Sequence, residues 1–110
     1  MIRVVYRWKV QNSGVAEFVE HWRKTTQAIH ETTDGALGSF CLQDIEHEDE
    51  ISTVALWRTE EQWRRFIGTA DRTSMSRMHE LATQLSARPY RQLGDETLSG
   101  EFPGCRRQKD

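Results

Sequence analysis

The chain opens on a segment, IRVVYRWKV, in which apolar and cationic side chains alternate. The even positions of residues 2–10 are all apolar or aromatic, whereas Arg3, Arg7 and Lys9 occupy odd positions. An alternation of period two is typical of a β-strand with one face in a protein core. We therefore predict a strand over residues 2–10 with a buried even face. The pattern leaves open what covers the odd face.

A long helix is predicted after this strand. Asn12, Ser13 and Gly14 break the alternation and offer helix caps. The helix is expected to end near Asp34 and Gly35, which supply turn chemistry. Between these limits the apolar side chains recur at the spacing of one helix face. They are Val15, Phe18, Val19, Trp22 and Ile29.

Two more strands are predicted next, joined by the polar residues 47–50. In the first, ALGSFCLQDIE, the alternation places Leu37, Cys41 and Ile45 on one face and Phe40 and Leu42 on the other. The second, ISTVALWR, is apolar on both faces over residues 54–57. Such a strand needs two covering layers, and this chain has enough helix for one side of a sheet only. A second copy of the same sheet is the simplest cover, so we predict a homodimer.

Two shorter helices and a last strand complete the pattern. Thr59 and Gln62 have the spacing of a capping box at the start of the first of these helices. The second is predicted over residues 74–86, because Pro89 bars its continuation. The last strand is predicted within residues 90–102, interrupted near Gly94. We assign residues 1–102 to one domain and expect residues 103–110 to form a disordered polar tail.

This order of elements is a split βαβ pattern. It predicts an α+β fold, with a ferredoxin-like antiparallel sheet that carries its helices on one face. Two such sheets facing each other would form a dimeric α+β barrel.

Composition and charge exclude several classes of function. The chain has 110 residues and a net charge of −2, and its dispersed basic residues argue against a nucleic-acid partner. No run approaches the roughly 18 apolar residues of a membrane span, so we expect a cytoplasmic protein without a membrane partner. Cys41 and Cys105 lack the spacing of a zinc site or a disulfide framework. Hydrolase, nucleotide-binding and metalloenzyme motifs are missing from the sequence.

Four segments carry a family likeness: VVYRWKV, AEFVEHWRKTTQAI, GALGSF and VALWRTEEQWRRF. Over roughly residues 1–95 the chain resembles the antibiotic biosynthesis monooxygenase family of dimeric α+β barrel proteins. The resemblance implies a pocket in each subunit between the helices and the sheet. It also implies active groups on the first strand, on the helix after LWR and on the last helix.

Seven side chains are the candidates for this pocket. Tyr6 is either a core aromatic residue or a phenol that hydrogen-bonds a substrate oxygen. His79 is either a boundary residue or a base that takes a proton from a phenolic substrate. We assign catalytic roles to these two. The remaining candidates either pack in the core or line an aromatic substrate pocket: Trp22, Trp63, Phe66, Met75 and Met78.

Three functions stay open for a protein of this family. The first is a cofactor-independent monooxygenase that oxidises an aromatic or polyketide-type phenol with O2. The second is a non-catalytic dimer that binds a small ligand or acts structurally. The third is haem binding or degradation, for which relatives use Asn, Trp and His. Here Tyr6 and Phe66 stand at the first two positions, and His79 lies two or three residues beyond the third. We expect no cofactor, with haem as the alternative, and a small aromatic molecule as ligand.

Overall fold

The computed structural model describes residues 1–69 and 76–98. Within these ranges the chain forms strands β1 (Ile2–Val10), β2 (Ala36–Gln43), β3 (Glu50–Trp57) and β4 (Ala82–Arg91). Its helices are α1 (Val15–Thr32), α2 (Glu60–Thr69) and α3 (Ser76–Leu81), and a 3-10 turn, Asn12–Gly14, precedes α1. The strands make an antiparallel sheet in the order β2-β3-β1-β4. The predicted ferredoxin-like α+β fold is confirmed.

Strand β1 lies inside the sheet and faces the helices with its even positions. It pairs with β3 on one side, where Tyr6 lies opposite Thr53, and with β4 on the other, where Tyr6 lies opposite Ala87. Ile2, Val4, Trp8 and Val10 are buried, as the alternation predicts.

The core on the helix side consists of two apolar clusters. One joins Trp8, Val10 and Ile51 of the sheet to Phe18 of α1 and Met78 of α3. The buried members of the other cluster are Ile2, Val4, Trp57 and Trp63. Tyr6 packs against both clusters. The buried indole N–H of Trp8 donates to the Thr53 hydroxyl at 3.0 Å, so the most buried ring of the first cluster has its polar atom satisfied.

The turn between α1 and β2 is held to the start of α2. Gly35 has a φ of +89°, a conformation that favours glycine. The Gln62 side chain lies over it, and Gln62 Nε2 donates to Asp34 Oδ2 at 3.1 Å. The Gln62 backbone N–H also donates to the Thr59 hydroxyl at 3.1 Å, as the capping-box spacing predicts. Thr59 therefore caps the helix at Gln62, and the side chain of the same glutamine fixes the neighbouring turn.

The prediction for the last helix and strand is wrong. The helix predicted over residues 74–86 covers only Ser76–Leu81 where the chain is described, and β4 then runs from Ala82 to Arg91 instead of starting at residue 90. Residues 92–98 form no regular element. The apolar positions of residues 81–85 suit a helix locally, but pairing with β1 over its whole length overrides that preference. Pro89 is accommodated because β4 is an edge strand, where a missing N–H is tolerated.

Strand β2 also departs from its simple alternation. Its register against β3 shifts between Ala36 and Gly38, which leaves Leu37 exposed, and Ile45 lies beyond the end of the strand. Cys41 faces the core, on the opposite side of the strand from Phe40 and Leu42, and the alternation predicts this separation of the two faces. The predicted tail, residues 103–110, and Cys105 lie outside the described residues.

The odd positions of β1 belong to a sheet face that the described helices leave uncovered. We call it the open sheet face. Phe40 and Leu42 of β2 are 51% and 53% exposed there, and the register places Phe40 beside Val54 and Val54 beside Val5. Arg7 and Lys9 pair with Glu50 and Asp49, while the Arg3 guanidinium lies 6.0 Å from the centre of the Phe40 ring. None of the helices in the described ranges is both long and apolar enough to cross a bilayer.

Candidate functional site

A pocket opens between α1 and the helix-facing side of the sheet. Its enclosed volume is about 60 Å³. With the mouth and the solvent in it included, the space is about 520 Å³. Its walls are largely apolar and aromatic, with a few hydroxyl groups. The lining includes the side chains of Tyr6, Trp22, Thr25, Thr26, His30, Ser39, Thr53, Phe66 and Met78.

The phenol of Tyr6 is the polar group that β1 contributes to this pocket. Alternation along the strand turns it toward the helices, between the two core clusters. Burial raises the pKa of the Tyr6 phenol, and the Trp63 indole offsets this in part as a donor toward it. Tyr6 is therefore a neutral phenol at physiological pH and can donate a hydrogen bond.

Trp63 lies behind Tyr6 and not on the pocket wall. Helix α2 places its ring in the second core cluster, where it is 7% exposed. Its Nε1 atom is buried and has no hydrogen-bond partner among the described residues, so its approach to Tyr6 stops short of a full hydrogen bond. The Arg64 guanidinium lies 5.2 Å from the centre of the Trp63 ring.

Two aromatic rings shape the pocket walls. The Trp22 N–H on α1 donates to the Ser39 hydroxyl on β2 at 3.1 Å, which ties the helix to the edge of the sheet. The Phe66 ring on α2 packs against Trp57 with 5.1 Å between ring centres and a 40° tilt. The rings are thus held in place by contacts of their own, and both line the pocket.

The sequence of this chain identifies its protein family. Its sequence matches the model of the antibiotic biosynthesis monooxygenase family over residues 1–77. The chain belongs to this family. No curated protein matches it.

Solved structures of this family share the fold at low sequence identity. A mutant of SnoaB, a cofactor-independent oxygenase from Streptomyces nogalater, is 17% identical with a TM-score of 0.73, over 86% of this chain and 95% of that one. A putative antibiotic biosynthesis monooxygenase from Bordetella bronchiseptica is 17% identical with a TM-score of 0.72, over 84% and 96%. One from Deinococcus radiodurans is 14% identical with a TM-score of 0.70, over 89% and 98%. At these identities the likeness shows the fold alone.

The family resemblance implies active groups on the last helix, but α3 does not place His79 on the pocket wall. His79 is exposed, and its ring lies 5.2 Å from that of Trp8 with a 58° tilt. It is not among the described residues that line the pocket. The helix turns Met78 toward the core instead, so a role for His79 as a base in the pocket is a prediction that this geometry does not support.

The structure brings together some of the predicted pocket residues and adds others. Tyr6, Trp22, Phe66 and Met78 line the pocket, Trp63 lies behind it, and Met75 lies outside the described residues. The sequence prediction missed five polar lining residues: Thr25, Thr26, His30, Ser39 and Thr53. The first three lie one and two turns beyond Trp22 on α1. Their spacing from Trp22 was a usable signal, hidden by their polarity.

The part of the chain that the structure describes has no cluster of metal-binding side chains. No group of three or more His, Cys, Asp or Glu side chains there could hold a metal ion. Cys41 is half-buried against the first core cluster, where burial raises the pKa of its thiol.

Proposed function

We propose that this protein is a cofactor-independent monooxygenase that oxidises a small aromatic phenol with O2 to a quinone. Membership of the family supports the reaction class. The observation that carries the proposal is the neutral phenol of Tyr6 in a pocket with aromatic and apolar walls. Such a pocket suits a flat ring that carries one polar oxygen.

The proposed chemistry starts from the phenolate form of the substrate. Loss of the phenolic proton gives an electron-rich ring that can react with O2. One oxygen atom of O2 enters the ring as the new quinone oxygen, the other leaves as water, and no external reductant is consumed. Tyr6 donates a hydrogen bond to the substrate oxygen, and the low-polarity walls strengthen that interaction.

A proton acceptor is needed for the first step. His79 lies outside the pocket wall, whereas His30 on α1 is a lining residue and is itself exposed. Imidazole is the most common general base in proteins. We therefore assign proton acceptance to His30, with Thr25 and Thr26 beside it on the same helix.

The size of the pocket restricts the substrate. Ligand pockets usually hold about 300–1,000 Å³, whereas the enclosed part of this one holds about 60 Å³. A substrate of two or three fused rings therefore has to occupy the mouth, beside His30. The haem alternative relied on His79 as axial ligand, and we do not propose it because His79 is not a lining residue. No observation favours the non-catalytic alternative.

We propose that the working unit is a homodimer formed through the open sheet face. Support comes from the side-by-side placement of Val5, Val54 and Phe40 on that face and from the exposure of Phe40 and Leu42. Apolar patches of this kind usually mark interfaces. A dimer built in this way would bury both open faces and leave both pockets accessible. Localisation in the cytoplasm stays a prediction.

The experiment is oxygen uptake with 1-naphthol or anthrone in chelator-treated buffer, against the rate without protein. We expect uptake above that rate, one O2 consumed per quinone formed. Tyr6→Phe should lower kcat/KM about tenfold or more, because it removes a donor to the developing charge. Tyr90→Phe is the matched control, since it removes the same hydroxyl from the open sheet face. Uptake no faster than the protein-free rate across such substrates would contradict the proposal.

A further inference from the structure

We propose that Trp63 is a positioning residue that makes the Tyr6 hydroxyl a hydrogen-bond donor directed into the pocket. The pocket then selects ligands that present an acceptor oxygen, a phenolate or a quinone carbonyl. This inference rests on the function proposed above and names the ligand chemistry of the same site.

The first step concerns the buried indole N–H of Trp63. Trp63 is 7% exposed, and its Nε1 lacks a hydrogen-bond partner in the described ranges. An unpaired buried donor is costly, so proteins rarely keep one without a use. The other side chains of its cluster are hydrocarbon except for the indole of Trp57 and the phenol of Tyr6. Tyr6 therefore supplies the acceptor oxygen of that cluster, since an indole N–H can only donate.

The second step concerns the direction of the Tyr6 hydrogen. A phenol oxygen accepts from one side and donates its own hydrogen to another partner. With Trp63 approaching the oxygen, that hydrogen has to point away from α2. Tyr6 borders the pocket. The free direction leads into the space where a ligand would lie.

The third step follows for the ligand. The Trp63 N–H has no partner in the described ranges. When an acceptor oxygen of a ligand takes the Tyr6 hydrogen, the phenol oxygen becomes a better acceptor for Trp63, and a chain from Trp63 through Tyr6 to the ligand is completed. Each bond in such a chain polarises the next, and the low-polarity surroundings strengthen both. A negatively charged oxygen gains most, because hydrogen bonds to charged groups are roughly twice as strong as neutral ones. A ligand that offers no acceptor leaves the chain incomplete.

The binding test compares two probes with the same rings. 1,4-Naphthoquinone presents acceptor oxygens, and naphthalene presents none. Equilibrium dialysis with the full chain should show that Tyr6→Phe and Trp63→Phe each weaken quinone binding about fivefold, the effect of one hydrogen bond. The double variant should bind the quinone no more weakly than Tyr6→Phe. Naphthalene binding should be the same in all four proteins.

A second readout reports on the contact itself. In a Tyr90→Phe background, Tyr6 is the sole tyrosine, and the near-ultraviolet absorbance of tyrosinate follows its ionisation. Loss of a donor to the phenolate raises a pKa, so Trp63→Phe should raise the pKa of Tyr6. Trp22→Phe is the control for this titration, because its N–H is already bonded to Ser39.

The two measurements distinguish a Trp63 that positions the Tyr6 hydroxyl from a Trp63 that only packs against it. Equal weakening of both probes by Trp63→Phe, or an unchanged pKa of Tyr6, would overturn the inference. If Trp63→Phe folds poorly, Tyr6→Phe alone still decides, since an unchanged preference for quinone over naphthalene would also overturn it. Failure of oxygen uptake would contradict the proposed function and leave these binding and titration results standing.

Discussion

At the scale of single residues, the alternation along β1 determines more of the site than any motif does. It predicted that Tyr6 and Trp8 face the helices, and both do. It could not distinguish a side chain that fills the core from one that borders a cavity, because both lie on the same face. The same limit explains His79, one residue along α3 from the buried Met78. On so short a helix, one position separates core from solvent.

A residue-scale prediction concerns the buried bond between Trp8 and Thr53. Thr53→Val keeps the shape of the side chain and removes the acceptor of the Trp8 N–H. An unpaired buried donor costs about 1–3 kcal/mol, so the free energy of unfolding should fall by about that amount in urea titrations. Thr53→Ser keeps the hydroxyl and should lose less. Equal losses in the two variants would show that the methyl group matters and the bond does not.

At the scale of elements, agreement between sequence and structure is best where local pattern and pairing favour the same state. Helix α1 and strands β1 and β3 have this property, and their predicted positions agree closely with the structure. Residues 82–86 do not, because a helical spacing of apolar residues meets a strand partner in β1. The partner lies more than seventy residues away in sequence, so no window of local sequence contains it. The pocket lining on α1 was missed for a related reason: Thr25, Thr26 and His30 are polar, so their local pattern assigns them to solvent, whereas the fold places them around a cavity.

The element-scale prediction concerns the turn that links α1, β2 and α2. A Cβ added at Gly35 would lie 2.2 Å from Gln62 Oε1, in a backbone conformation of φ +89°. Gly35→Ala should therefore displace Gln62 and weaken its bonds to Asp34 and to the helix cap, at a cost of about 1–3 kcal/mol. Gly38→Ala tests the backbone alone, since its φ is +115° and nothing lies within 4 Å of the added atom. Thermal unfolding should order the proteins as wild type, Gly38→Ala, Gly35→Ala. A Gly35→Ala protein as stable as wild type would contradict this account.

At the scale of the whole molecule, the sheet has one face covered by helices and one face, the open sheet face, that the described helices leave uncovered. The family resemblance and the split βαβ pattern both predicted this arrangement, and the fold and family are confirmed. The chemistry is less predictable, because a likeness at 17% identity shows the fold alone and one fold can carry many functions. Phenol oxidation and dimerisation therefore remain proposals with their own tests.

The prediction at this scale concerns the oligomeric state. Phe40→Glu combined with Leu42→Glu places two charges within the proposed interface, where burial would be costly. Both side chains are already about half exposed in the single chain, so the fold should survive. Sedimentation at micromolar concentration should show a dimer for wild type and a monomer for the double variant. Ile45→Glu, at a side chain 94% exposed in a loop, is the control and should stay dimeric. A wild-type monomer would contradict the proposed assembly.

The proline in the edge strand β4 has a consequence for the behaviour of many copies together. Because Pro89 lacks an N–H, a foreign strand that aligned along β4 would meet a gap in its ladder of backbone bonds. Arg88 directly precedes the proline, and its charge would repel a like-charged neighbour. Addition of further strands to this edge, as in a fibril, is therefore discouraged, even though the open sheet face exposes apolar side chains.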